Sequence, residues 1–429
     1  MYLQPKLFPT NHIARQCLVL LKKPSTVFLI SAVVVNAGNY IFNLWLGRVL
    51  GPTVFAEAAI MVTLLLVLSF VGMTLQTYVA KFTVELPTEK LKDFIQKSYG
   101  IALLIGIFTA VLVFVFAPVL ARFFAVASPV TFYIFALGIP PYFILSVYRG
   151  KYQGEQHFVG LAKTYQLEML SRFLVTACLL YLDFASAGLV VSIGIVASII
   201  VALFPGERAM LKPKFKWLKA KPNRAMLWFF GVMCIYECTQ ILCNNSDILL
   251  VKHYFDSQHA GLYASLALIG RIVFFVTWML VMLLLPQVIK AKKEHKNTNK
   301  ILQKYLGYIG ALAGGIVIGC FCFPTLAVTL LFGPAYVAIA NLLGWYALAT
   351  ALFALANVFT YYFLSLEHYF PVLIAVCCAI FQIVLITYFH SSLFVVVMVQ
   401  CIAMGLLLLT QLGYYFRMLN RTKSAIGLQ

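Results

Sequence analysis

The sequence predicts an all-α polytopic membrane protein with twelve transmembrane helices in two sets of six. Three observations predict it. First, 63% of the 429 residues are apolar and only 10% are charged, against about 45–50% and about 25% in soluble domains. Second, apolar runs near the roughly 20 residues that a bilayer span needs recur along the chain, and mean hydropathy is +0.95. The longest polar stretch between runs, 205–224, has 20 residues and cannot house a soluble domain. Third, the basic residues alternate in density from one loop to the next. A soluble enzyme is excluded, because no fold of this size covers so much apolar surface.

The elements follow in order. A short interfacial helix is predicted at 11–23, with Asn11 as its cap. The first run follows Lys22 and Lys23 and precedes Arg48, which suits an uncleaved span better than a signal peptide. Spans are predicted at 27–46, 55–77, 99–120, 130–147, 161–182 and 187–204, then at 226–251, 261–285, 305–322, 338–363, 370–389 and 393–415. Gly51-Pro52 and Gly333-Pro334 mark tight turns. Pro371 fits a first helical turn, where its missing N–H costs nothing. Pro140-Pro141 inside the fourth span predicts a kink.

Charge supplies the orientation. The net charge of +19 would suggest nucleic acid in a soluble protein; here it has another cause. An even span count puts both termini on one side. With that side cytoplasmic, 26 of the 32 Lys and Arg fall in cytoplasmic segments. Three (Arg48, Arg122, Lys252) fall in outer loops and three (Lys163, Arg172, Arg271) inside spans. This is the positive-inside pattern, and no nucleic-acid partner is expected. The domain reading is a cytoplasmic segment 1–25, an N-terminal set 26–204, a basic linker 205–225, a C-terminal set 226–416 and a cytoplasmic tail 417–429. The linker is a topology determinant and a contact for anionic membrane lipids.

The two halves resemble each other. Phe55-Ala56 opens the second span and Ala260-Gly261 the eighth, 205 positions on; His157-Phe158 recurs as Tyr369-Phe370, 212 on. Six spans per half make such repeats parallel, related by a pseudo-two-fold along the membrane normal. The ten cysteines lie in or beside apolar stretches, form no Cys-x-x-Cys pair and read as buried apolar residues. The sequence holds no zinc pattern, nucleotide loop or nucleophile elbow. No metal and no cofactor are expected.

Four segments carry a family resemblance. NAGNYIFNLWLGRVLGPTVF (36–55) contains an Arg-x-Leu-Gly-Pro turn at Arg48, Leu50, Gly51 and Pro52, followed by Phe55-Ala56. YRGKYQGEQHF (148–158) fits a fourth-to-fifth loop. NSDILLVKHYFDSQHAGLYA (245–264) fits a seventh-to-eighth connection, and LFGPAYVAIANLL (331–343) the turn into a tenth span. Together they resemble the Wzx-like oligosaccharide (O-antigen and polysaccharide) flippases. These form the polysaccharide transporter branch of the multidrug/oligosaccharidyl-lipid/polysaccharide (MOP) exporters. That family typically has Gly in place of Ala56. The resemblance implies the MATE-like MOP fold, two six-helix bundles around a central cavity, and alternating access. It also implies a lipid-linked oligosaccharide as substrate, with a polysaccharide polymerase and glycosyltransferases as partners, in the bacterial inner membrane.

Polar groups within spans usually face a cavity or a partner. Glu237, Gln240, Asn244 and Asp247 fall within one third of the seventh helix face. They read as a stripe for H⁺ or Na⁺ coupling (Glu237, Asp247) and for sugar contact (Gln240, Asn244). Helix–helix hydrogen bonds remain open, with Asp247 near enough to the outer surface to be hydrated. Glu168 and Arg172, spaced i,i+4, form a possible ion pair or a diphosphate site. Arg271 has no acid at i±3 or i±4 and shares its face with Trp278. It reads as a second diphosphate contact, or as paired with Glu237 or another acid. Asn36, Asn39 and Asn43 occupy one face of the first span beside Tyr40, lining the cavity or bonding a neighbouring helix. Lys163 snorkels and Arg48 anchors the turn.

Two rival functions fit part of this pattern. A multidrug or metabolite antiporter of the same superfamily would favour acids in the N-terminal set and an apolar-aromatic cavity, and Arg271 fits a cationic drug poorly. A membrane glycan polymerase or ligase would need a long outer loop, and the outer loops here hold about a dozen residues at most.

Overall fold

The computed structural model describes residues 24–205, 224–274, 296–366 and 368–426, with isolated positions between 277 and 294. The predicted interfacial helix at 11–23, nearly all of the linker, Trp278 and most of the second half of the eighth span lie outside these residues.

Each predicted apolar run coincides with helix where it is described, and no strand occurs among the described residues. The first helical run, Pro24–Glu85, breaks at Gly51 (φ 70°, ψ 169°); we number its parts α1 (24–50) and α2 (52–85). Only glycine adopts that conformation readily, and Pro52 then restarts the helix in a first turn where it needs no N–H partner. Next come α3 (Thr88–Phe123), α4 (Val130–Gly154), α5 (Phe158–Tyr181) and α6 (Ala187–Ala202). The C-terminal half holds α7 (Arg224–Tyr254), α8 (Ser257–Gly270, continued by residues only partly described), α9 (Thr298–Cys322) and α10 (Pro324–Leu331). A 3₁₀ segment, Pro334–Leu342, leads into α11 (Leu343–Ser365), followed by α12 (Phe370–Tyr388) and α13 (Leu393–Ile426).

Local chemistry sets the boundaries. Gly333 (φ 99°) makes the second tight turn. Pro371 sits in the first turn of α12. Asp256 caps α8 by accepting from His259 N at 2.8 Å. That bond and the His259 ring hold the exposed Asp256 carboxyl below the usual carboxylate range. Pro140 and Pro141 do not interrupt α4, which runs on to Gly154. The sequence reading ends this span at 147, so the last two turns are helix rather than loop.

Among the described residues, seven helical segments are long and apolar enough to cross a membrane. Their burial divides them. The most apolar window of α3 is only 11% buried and that of α9 22%, whereas α4 reaches 61% and the 3₁₀–α11 segment 72%. Phe108, Phe114, Val115 and Phe116 of α3 stand exposed. Such a face needs an apolar neighbour, which the bilayer of a multi-pass membrane protein supplies. The α1–α2 run packs along both α7 and α8 and so joins the two halves; within it, α2 meets α7 through Tyr78 and Phe230 and α8 through Pro52. Its fit against α8 is backbone to backbone: a Cβ built on Gly261 would meet the Pro52 carbonyl oxygen at 1.7 Å.

Candidate functional site

In the N-terminal half, α5 aligns Thr164, Glu168 and Arg172 on one face at i, i+4 and i+8. α4 brings Arg149 to the same place. Its guanidinium is 2.7 Å from Glu168 Oε2, and it donates to Thr164 Oγ1 at 3.0 Å and the Thr164 carbonyl at 3.2 Å. It also lies over the Tyr165 ring, 3.8 Å from the centroid. Arg172 reaches the other oxygen of Glu168 at 3.7 Å and donates to Asn39 Oδ1 on α1. Both arginines are buried. Two guanidinium groups therefore share one carboxylate, and the cluster carries a residual positive charge within the bundle. Tyr165 and Gln153, each bonded to Gln76, extend the polar network through α2.

In the C-terminal half, Asp247 collects its partners from three residues on two other helices. Arg271, at the end of α8, is 3.2 Å from Oδ1. Tyr346 of α11 and Tyr263 of α8 donate to Oδ2 at 2.8 and 3.2 Å. Arg271 also donates to Asn245 Oδ1 at 3.3 Å. This cluster is electrically neutral and dry: Asp247 has no exposed surface. A cavity of about 10 Å³ beside Asn244, Arg271, Tyr346 and Gln400 has room for one water at most.

Several sequence expectations change accordingly. For Arg271 the paired alternative holds, and its acid is Asp247 of another helix rather than Glu237. Asp247 is not hydrated from the surface. The seventh-helix residues do not work as one stripe: Gln240 pairs with Asn357 of α11 at 3.1 Å, and Asn244 bonds the Gln240 carbonyl of its own helix. Glu237 is 7% exposed and has no hydrogen bond or ion pair among the described residues. The first-helix asparagines also diverge. Asn43 is buried and bonds the Asn39 carbonyl, Asn39 accepts from Arg172, and Asn36 is exposed. Nearby, the buried Tyr40 hydroxyl has no partner among the described residues. Lys163 is exposed. Sequence patterning does not single out Arg149, Asn245, Tyr263, Tyr346 or Asn357, all of which the structure brings into these clusters. For Arg149 a signal existed: no proline follows Pro141 before Gly154, and the lone Gly150 weakens a helix without ending it.

Helical throughout its described residues and carrying many long apolar helices, the chain is a multi-pass membrane protein. The family described as "Polysaccharide biosynthesis protein" matches residues 45–341, and the chain belongs to it. No curated protein matches it in sequence. Solved structures do resemble it in fold. An inward-facing multidrug resistance MATE family transporter of the MOP superfamily gives a TM-score of 0.68 at 11% identity, over 91% of this chain and 96% of that one. The lipid II flippase MurJ, in an inward closed conformation, gives 0.72 at 14%, over 91% and 87%. A Vibrio cholerae MATE transporter gives 0.59 at 14%, over 96% and 98%. The fold is the one that these solved transporters and this flippase share.

Proposed function

We propose that the protein is a flippase that moves a polyprenyl-diphosphate-linked oligosaccharide across the bacterial inner membrane for surface polysaccharide assembly. The observation that carries this reading is the Arg149–Glu168–Arg172 cluster. A buried excess positive charge is costly unless an anion joins it, and guanidinium matches phosphate oxygens bidentately. Arg172 is the diphosphate contact, with Arg149 holding the charge balance. Arg271, already neutralised by Asp247, organises the C-terminal half and is a weaker candidate for the same role. The family supports a glycan pathway, and MurJ, on the same fold, is by its name a lipid II flippase.

The remaining assignments belong to this reading. Twelve spans form two six-helix bundles, 26–204 and 226–416, with linker 205–225 and both termini cytoplasmic, as the positive-inside count supports. Asn36, Asn39, Asn43, Gln240 and Asn244 supply amide partners for sugar hydroxyls or for the helices that frame the path. Glu237 is the coupling carboxylate for H⁺ or Na⁺, because a buried acid without a cation partner must take up a proton or an ion. Asp247, held by three donors, is structural. A multidrug antiporter with cationic cargo fits a net positive cluster poorly.

Deleting the gene and following the polyprenyl-linked glycan tests the proposal. Accumulation on the cytoplasmic leaflet with loss of the surface glycan is expected. An intact surface glycan, or accumulation outside, overturns it.

A further inference from the structure

Two contacts at one end of the molecule join the halves by the same chemistry. α1 ends near Arg48, whose Nε donates to the Leu331 carbonyl at 2.8 Å and whose terminal nitrogen donates to that of Leu330. These carbonyls close α10 and have no acceptor role inside that helix. Beside them, Tyr336 Oη donates to the Gly47 carbonyl at 2.7 Å. On the other side, α7 ends at Lys252–Tyr254. His253 Nδ1 is 2.8 Å from the Phe123 carbonyl at the end of α3, so that nitrogen must be the donor. Its ring lies flat on Phe123, with centroids 3.8 Å apart and planes at 8°. The Lys252 ammonium is 3.5 Å from the Ala125 carbonyl.

The correspondence is also one of position. Arg48 and His253 are 205 residues apart, as are Ala125 and Leu330, and the turn prolines Pro129 and Pro334. Each half thus sends a basic side chain from the end of its first helix to orphan carbonyls at the corresponding helix end of the other half. Cations suit helix C-termini, where the backbone dipole is negative. Both ends of the Arg48 contact reach the surface. A cleft of about 420 Å³ lined by Arg48, Gly51, Gly333 and Tyr336 opens beside it. Water can therefore replace the Arg48 hydrogen bonds when the seam parts, and the buried Lys252, which also donates to Ser257 Oγ at 2.9 Å, keeps that partner when its contact to Ala125 is lost.

We propose that Arg48 and the Lys252–His253 pair are positioning residues, two repeat-related latches that hold the outer seam shut and release together during transport. This rests on the alternating-access reading and on its sidedness. The two latches act on one rigid-body opening, so losing either loosens the seam partly and losing both loosens it fully.

The test places a reporter at Ala56→Cys, which is 2% exposed and one helical turn below Pro52. It measures labelling by a membrane-impermeant maleimide in whole cells, against cells bearing only the native cysteines. Arg48→Ala, and Lys252→Ala with His253→Ala, should each raise the labelling rate a few-fold. All three substitutions together should raise it about tenfold or more, while Arg48→Lys should restore most of the closure. Unchanged labelling in the triple variant overturns the proposal, as does labelling confined to inverted vesicles. If that variant fails to accumulate, Arg48→Cys with Leu330→Cys is bridged by a bifunctional maleimide in folded protein. Ala56→Cys labelling at the closed level after bridging supports the latch, and labelling that remains fast overturns it. Faster labelling in a protein that does not serve surface glycan keeps the latch and removes the flippase reading.

Discussion

The guanidinium of Arg149 lies 2.7 Å from the Glu168 carboxylate, closer than Arg172, which is one helical turn from Glu168 on the same helix and 3.7 Å away. The tighter pair is the one between helices. Glu168 thus ties α4 to α5 and leaves Arg172 the less neutralised of the two arginines, with Asn39 beside it.

The cluster's net charge makes a distinguishing prediction. Arg172→Gln leaves a neutral Arg149–Glu168 pair, so the protein should fold with only a small change in melting temperature while glycan export falls at least tenfold. Arg149→Gln removes the close partner of a buried carboxylate and should destabilise by about 3–5 kcal/mol. Melting of the detergent-purified variants, alongside surface glycan, separates the two effects. Equal loss of stability in both variants would count against the assignment of roles.

In the C-terminal half the prediction concerns stability alone. Asp247→Ala strands Arg271 in a site with no exposed surface around its former partner and should cost about 3–5 kcal/mol. Arg271→Met on that background removes the stranded charge. The double variant should therefore be more stable than Asp247→Ala, as a double-mutant cycle will show. For the same reason, charge reversal at Arg271 would damage folding before it reported on cargo.

Gly261→Ala should be among the most damaging single-methyl additions. Its Cβ would fall 1.7 Å from the Pro52 carbonyl oxygen, and backbone atoms of α2 cannot swing aside as a side chain would. Overpacking usually costs about 1–3 kcal/mol; here the expected outcome is at the upper end, read as a fall in folded yield and melting temperature. Gly314→Ala, with nothing within 4 Å of its Cβ, is the control and should be nearly silent.

The α8 cap gives a pH dependence of known sign. The folded Asp256 carboxyl titrates below its ordinary value because its ionised form accepts from His259. Its contribution is therefore full above the unfolded carboxylate pKa of about 3.9 and is lost as pH falls through the lower folded value. The melting difference between wild type and Asp256→Ala should not shrink from pH 7 to about pH 5 and should narrow only in acid below about pH 3.9. A difference that narrows near neutrality would remove Asp256 as its source.

The helix pattern was largely legible because it is fixed locally. A run of apolar residues, a Gly-Pro turn or a Pro in a first turn acts through its own neighbours, so Gly51, Gly333 and Pro371 sit where the sequence places them. The i,i+4 placement of Glu168 and Arg172 is local in the same sense. The partnerships of Arg271, Gln240 and Asn39 are not: each crosses between helices, and a wheel drawn on one helix does not show which neighbour faces it. Arg149 was hidden for a different reason, since a charge just past an apolar run reads as the start of a loop.

By itself the sequence determined an all-helical membrane protein, its main breaks, its distribution of basic charge and the short list of polar groups buried in it. Only the tertiary structure decided how those groups combine: a neutral, closed Asp247–Arg271 cluster in one half and a cationic Arg149–Glu168–Arg172 cluster in the other. The reason is electrostatic. In a low-dielectric interior, a buried charge is governed by groups within a few ångströms in space, and helix packing chooses those groups regardless of their separation in sequence.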